Sequence, residues 1–231
     1  MSPRLSPAFA EPGVFALPDV RHMALHRPRL AVMDEIARVT PELHARALAL
    51  CAFAHDGHVR AYSAEPYLGH LVEVRDIVAA TPHATPAMCA AALLHDVVED
   101  GRITGVVMGD VQRWFGSEVA DLVGWLTDVS RKEDGNRAAR KRLELEHTAL
   151  APPQAQTIKL ADVLSNAKDI VQGDPKFAAV WLREKTALLK VLGKGDADLL
   201  ARAKALVGNG LAALEAAPDP AERARPLRSS R

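Results

Sequence analysis

Aromatic side chains are scarce, at 4% of 231 residues, too few to build base-stacking platforms for a single-stranded nucleic acid. Charge of one sign is also missing. Lys plus Arg and Asp plus Glu both number 29, so no general basic field gathers polynucleotides, and no nucleic-acid partner is expected. Apolar runs stay short of the roughly 18 residues that a membrane span needs, and the N-terminus lacks the apolar core of a signal peptide. No membrane partner is expected, and the cytoplasm is the default location. Cysteine occurs only at Cys51 and Cys89, in apolar helical stretches without CxxC spacing, which points to buried thiols and away from a disulfide framework. Alternation of period two is absent over any useful length, which excludes strands as the main element.

What the chain does have is Ala and Leu recurring at helical spacing, within a composition 48% hydrophobic. The fold class read from this is all-α. Residues 1–40 form a proline-rich, partly ordered extension with a short helix near Leu30–Arg38. One domain covers 41–216, and 217–231 is a disordered tail of prolines and arginines. Within the domain, helices are predicted over about 41–55 and from Pro66. Another runs from a Thr85 cap through Glu99, and one from a Thr104 cap to Phe115. Ser117 caps the next, ending at Leu126. Residues 128–136 read as a loop. Further helices cover about 136–148, 154–171, 175–193 and 196–216.

The segment Ala-Ala-Leu-Leu-His-Asp-Val-Val-Glu-Asp, residues 91–100, ends an apolar helical run in four proton-active side chains. On a continuous helix His95 and Glu99 share one face, and Asp96 and Asp100 form the neighbouring column. Burying such groups without partners is costly, and a divalent cation removes the cost. His70 shares a helix face with Tyr67, Val74 and Ile77, so it points inward. Asp162 shares one with Ile158 and Asn166. Three helices thus offer His70, His95 with Asp96, and Asp162. Mixed imidazole and carboxylate ligands suit a hard or borderline divalent ion and leave coordination positions open. Singly, an inward His is a hydrogen-bonded core residue and an inward Asp a cap or ion-pair partner; the set has one shared explanation. Lys159, three residues before Asp162, either contacts phosphate or balances Asp162.

Further motifs fall in order around this segment: Ala-His-Asp-Gly-His-Val-Arg at 54–60, Pro-Tyr-Leu-Gly-His-Leu at 66–71, and Ile-Lys-Leu-Ala-Asp-Val-Leu-Ser-Asn at 158–166. With them the chain, over about residues 41–192, resembles the HD-domain alarmone hydrolases. These are the hydrolase half of RelA/SpoT-type enzymes and their small stand-alone forms, including the metazoan SpoT homologue. The resemblance implies an HD-domain helical bundle and one Mn²⁺ held by His70, His95, Asp96 and Asp162. It also implies a catalytic pair, Glu99 and Asp100, whose division of labour the spacing leaves open. Arg60 matches the residue that stacks on the base and Asn166 a contact near the ribose. Lys168 stands where the family often has Arg. The implied reaction is removal of the 3′-pyrophosphate from a small nucleotide, (p)ppGpp or (p)ppApp. Arg140, Lys141 and Arg142 are the densest basic cluster, a candidate to surround a pyrophosphate leaving group, but most of it reads as a solvated face salted with Glu144 and Glu146. Ala61, where the family often has Lys, His58, where Gln is common, and the short stretch from Arg60 to Pro66 all depart from the pattern on the base and phosphate side. An NADPH 2′-phosphatase or other HD nucleotide phosphohydrolase, and a non-catalytic nucleotide sensor, are the alternatives. An oligomer is compatible with the sequence.

Overall fold

The computed structural model describes residues 29–100 and 104–216, and among these the chain is helical. The helices are α1 Arg29–Val39, α2 Leu43–Ala54, α3 Tyr67–Ala79, α4 Pro86–Leu94, α5 Met108–Phe115, α6 Ser117–Leu126, α7 Arg137–Leu150, α8 Pro153–Gly173, α9 Pro175–Val191 and α10 Ala197–Ala216. No strand occurs among the described residues; one isolated antiparallel bridge pairs Val59 with Pro66. The all-α expectation therefore holds. No described helix is long and apolar enough to cross a membrane. Residues 1–28 and the tail from 217 lie outside the described residues.

Helix α4 explains the architecture. Its sequence, Pro-Ala-Met-Cys-Ala-Ala-Ala-Leu-Leu, is apolar all round, and such a helix belongs at the centre of a bundle. Residues 87–94 are all buried, with α2, α3, α6 and α8 packed around them. Thr85 starts the helix as predicted: its Oγ1 accepts the Met88 N–H at 3.2 Å, and Pro86 occupies the first turn, where no N–H partner is needed. Helix α8 runs alongside, packed on α3, α4, α6, α9 and α10. Helix α1 joins the same core through Val32, Met33 and Ile36, and Trp114 Nε1 donates to Asp34 Oδ1 at 2.8 Å. Gly116, at φ +83°, turns α5 into α6 within a single residue, a conformation that costs a side-chain-bearing residue about 1 kcal/mol or more. Both cysteines are free and buried.

Three predicted boundaries shift. Helix α4 stops at Leu94, not Glu99, and residues 95–100 continue as successive turns, with Val97 N–H on Leu94 O at 3.0 Å and Asp100 N–H on Asp96 O at 2.8 Å. A regular helix would splay adjacent side chains by about 100°; the loosened turn lets His95 and Asp96 aim at one point. Thr104 does not cap α5. Val107 holds that N-cap position, with Asp110 Oδ2 accepting its N–H at 3.2 Å. Thr104 is instead buried; its Oγ1 donates to Val97 O at 2.6 Å and accepts the Val106 N–H at 3.2 Å, pinning the 95–100 turn from behind. Ser117 makes no cap bond either, since Gly116 holds the N-cap position of α6.

Candidate functional site

Helix α3 delivers His70, the turn after α4 delivers His95 and Asp96, and α8 delivers Asp162. Asp162 Oδ1 lies 3.4 Å from His70 Nε2 and 3.6 Å from His95 Nε2. Asp96 Oδ2 lies 3.0 Å from His95 Nε2 and 3.8 Å from His70 Nε2. Octahedral and tetrahedral shells with bonds of about 2.0–2.2 Å have edges of roughly 2.8–3.6 Å; three of these separations fall in that range, and His70 to Asp96, at 3.8 Å, lies just beyond it. The structure brings His70, His95 and Asp162 within mutual reach of a single ion, with Asp96 beside the two histidines.

The hydrogen bonds around the two histidines decide what their Nε2 atoms offer. His95 Nδ1 faces the Ala92 carbonyl at 2.8 Å, and a carbonyl only accepts, so that nitrogen carries the proton. Ser165 Oγ donates to Glu73 Oε2 at 2.7 Å, so it accepts from His70 Nδ1 at 2.9 Å. In both neutral rings Nε2 is therefore a bare lone pair, held in that tautomer by a second layer of partners. Both Nε2 atoms are buried and make no hydrogen bond of acceptable geometry. Two lone pairs confronting two carboxylates repel unless a cation lies among them. Burial opposes charge here, yet Asp96 and Asp162 hold the His95 imidazole well above its ordinary pKa; His95 holds the Asp96 carboxyl below its ordinary value, and His70 and then His95 hold Asp162 below its own. The cluster draws in positive charge, as a proton or as a metal ion, and a histidine-carboxylate set of this kind fits a divalent ion.

Tyr67, three residues before His70, donates its hydroxyl to Asp96 Oδ2 at 2.5 Å; burial and then the Asp96 charge raise its pKa. Glu99 and Asp100 follow on the same turn. Glu99 is reached by solvent but stands in a hollow crowded by protein. That crowding, then Asp128, Asp96 and Asp162, push its carboxyl up to about 7 against the opposing Lys159. Burial and Asp96 also raise Asp100. Lys159 Nζ reaches Leu126 O at 3.5 Å. Burial disfavours its charge, but Asp162, Glu99 and Asp128 hold it above its ordinary value, so in this arrangement it balances carboxylates.

Two clefts flank the cluster. The first, of about 390 Å³, is lined by Arg60, Tyr62, Glu73, Ser165, Lys168 and Asp169. Read from the residues alone Arg60 is a surface cation; in the structure it is buried, with Nε 3.1 Å from Asp169 Oδ2 and Nη2 3.3 Å from Asn166 Oδ1. Asn166 Nδ2 donates to Asp162 Oδ1 at 2.6 Å, which ties Arg60 to the cluster. Lys168 is exposed and pairs with the Glu73 carboxylate that supports Ser165. The second cleft, of about 150 Å³, includes Trp125, Asp128, Lys141, Glu144, Lys159 and Lys185. Burial, aided by Lys159 and Lys141 and opposed by Asp162, brings Lys185 down to about 8. Arg140 bonds the Gly135 carbonyl and Arg142 faces Glu146 in solvent, but Glu144 departs from the expected solvated face: it is buried, and its carboxylate accepts the Val129 and Ser130 N–H groups because it turns toward the 128–130 loop.

Sequence reasoning assigned no role to Tyr67, Ser165, Asp169 or Asp128. Three of them carried a signal: Ser165 and Asp169 stand three and seven residues after Asp162 on α8, and Tyr67 three before His70, so each shares a face with a ligand-type residue. Asp128 lies in a loop, where no periodicity marks it.

Residues 47–188 match the family model described as HD domain. The guanosine-3′,5′-bis(diphosphate) 3′-pyrophosphohydrolase MESH1 of Drosophila melanogaster is 36% identical over 155 residues, covering 66% of this chain and 82% of that protein. MESH1 of Homo sapiens is 35% identical over 112 residues, 48% of this chain and 59% of that one. The probable GTP diphosphokinase RSH2, chloroplastic, of Oryza sativa subsp. japonica is 38% identical over 125 residues, 51% of this chain but 17% of its own length. A solved structure of a metazoan orthologue of SpoT, described as hydrolysing ppGpp, superposes with a TM-score of 0.65 at 29% identity, covering 73% of this chain and 96% of that one.

Proposed function

Since this chain belongs to the HD-domain family, we propose that it is a metal-dependent hydrolase removing the 3′-pyrophosphate from alarmone nucleotides, (p)ppGpp or (p)ppApp. One observation carries the reading: two imidazoles locked with their lone pairs toward two carboxylates, beside a glutamate lifted to about 7. His70, His95, Asp96 and Asp162 would hold the ion, and Mn²⁺ is the ion that the resemblance to the alarmone hydrolases implies; the mixed imidazole and carboxylate donors fit a divalent cation. Such an ion, when bound, polarises a phosphoryl oxygen and acidifies water. Glu99 takes the proton of the attacking water as its oxygen bonds phosphorus. It returns that proton to O3′ as the P–O3′ bond breaks, releasing pyrophosphate and a nucleoside 5′-phosphate. Asp100 supports the same water. Arg60, whose hydrogen bonds to Asp169 and Asn166 lie along its edge, offers its flat face to the base, and Asn166 meets the ribose. Lys159 and Lys168 supply cationic charge on either side. Two buried thiols, with Cys51 pushed up to about 12 by burial, suit a reducing compartment, and we assign the cytoplasm.

The test is a panel of 3′-pyrophosphorylated guanosine and adenosine nucleotides and NADPH, with and without Mn²⁺, with both products separated by chromatography. Pyrophosphate plus a nucleoside 5′-phosphate, formed only with metal, is expected. Orthophosphate from NADPH alone would make the chain a phosphomonoesterase. Tight alarmone binding without turnover would make it a sensor.

A further inference from the structure

We propose that His55, His58 and Asp100 form a second metal centre, which takes a divalent ion that accepts imidazole and carboxylate, such as Zn²⁺. This needs nothing from the alarmone reading and goes beyond it. His55 follows the last residue of α2, and Gly57, at φ +75°, reverses the chain so that His58 swings back to face it. The His58 N–H closes that turn on His55 O at 2.9 Å. The two Nδ1 atoms stand 3.1 Å apart, and Asp100 Oδ2 lies 3.9 Å from the first and 3.8 Å from the second.

Those three separations define a triangle. Its centre lies about 2.1 Å from every corner, which is the bond length of zinc to imidazole nitrogen and carboxylate oxygen. The carboxylate oxygen is too far from either imidazole to hydrogen-bond and almost equally distant from both. That is the spacing of ligands around a shared atom. The rings are also preset. His58 stacks on Tyr67 with centroids 4.1 Å apart and planes 13° off parallel, and His55 stacks on the same ring at 5.2 Å. Tyr67 in turn bonds Asp96, so one tyrosine braces both centres.

The experiment counts metal. The full chain is stripped with a chelator, equilibrated with excess Zn²⁺ or Mn²⁺, freed of unbound ion and analysed for metal per polypeptide. Two equivalents are expected in the wild type and one in His58→Gln. Asp96→Asn, which damages the other cluster, should also hold one. With Co²⁺ as probe, the visible spectrum of His58→Gln should lack the component that Asp96→Asn retains. A wild type that binds one equivalent, or a His58→Gln chain that binds two, overturns the proposal and leaves the imidazoles merely sharing a proton. Circular dichroism checks that His58→Gln is folded, and Asp100→Asn repeats the count from the carboxylate side.

Discussion

Replacing Asp128 with Asn should let Glu99 ionise at lower pH. The Glu99 carboxyl stands at about 7 against an ordinary 4.5. Burial in the hollow contributes most, and Asp128 is the largest single charge pushing upward, ahead of Asp96 and Asp162; Lys159 pushes downward. A like charge of that rank accounts for about one pH unit, and Asn removes the charge while keeping the shape. A general base works ionised, so turnover falls as pH drops below its pKa. The acidic limb of kcat against pH should therefore move down by about one unit in Asp128→Asn. Lys159→Met removes the opposing charge and should move the limb up by a similar amount. Metal in the holoenzyme displaces all the limbs together, so the differences between variants carry the test. Stopped assays of pyrophosphate release across about pH 4 to 9 would measure them. Limbs that stay put in both variants, or shift in the same direction, would refute the assignment of Glu99 as the group that moves the proton.

Thr104→Val strips two backbone groups of their buried partner, Val97 O and Val106 N–H, and should cost about 2 kcal/mol in urea unfolding while lowering kcat through the slackened 95–100 turn. Mn²⁺ at about 100 times the Kd of the His70–His95–Asp162 centre should add about 2.7 kcal/mol through that centre, worth roughly 5–10 °C in Tm, and Asp162→Asn should lose that share of the metal-dependent rise in calorimetry. Glu99 ionises harder folded than unfolded, so in the metal-free protein its contribution to stability declines as pH climbs from about 4.5 to about 7. Glu99→Gln should therefore leave Tm nearly unchanged at pH 4.5 and raise it at pH 8. The gain should be about 1 kcal/mol at most, because solvent reaches the side chain.

The helices were legible because their punctuation is local. Thr85-Pro86 and Pro66 mark starts through a single side chain or fixed φ, whereas the helix expected from residue 136 begins one residue later, with Asn136 as its cap and Asn136 Oδ1 accepting the Ala139 N–H at 3.0 Å. The inward placement of His70 and Asp162 followed from helical periodicity. The loosened turn at His95 did not, because apolar spacing continues unbroken through Val97 and Val98 while the deviation is imposed by Thr104 and the cluster. Asp128 and Lys159 meet across a tertiary cleft, and no sequence spacing encodes that. Arg60 is buried with its charge paired to Asp169, 109 residues on, and bonded to Asn166, and no local pattern marks either as its partner.

The central claim is that side chains from α3, the turn after α4 and α8 gather one divalent ion. A crystal of the full chain grown with Mn²⁺, with data collected near the manganese absorption edge, tests it most directly. An anomalous peak bonded to His70 Nε2, His95 Nε2, Asp96 and Asp162 is predicted. Manganese bound elsewhere while those four side chains hydrogen-bond only to one another would contradict it.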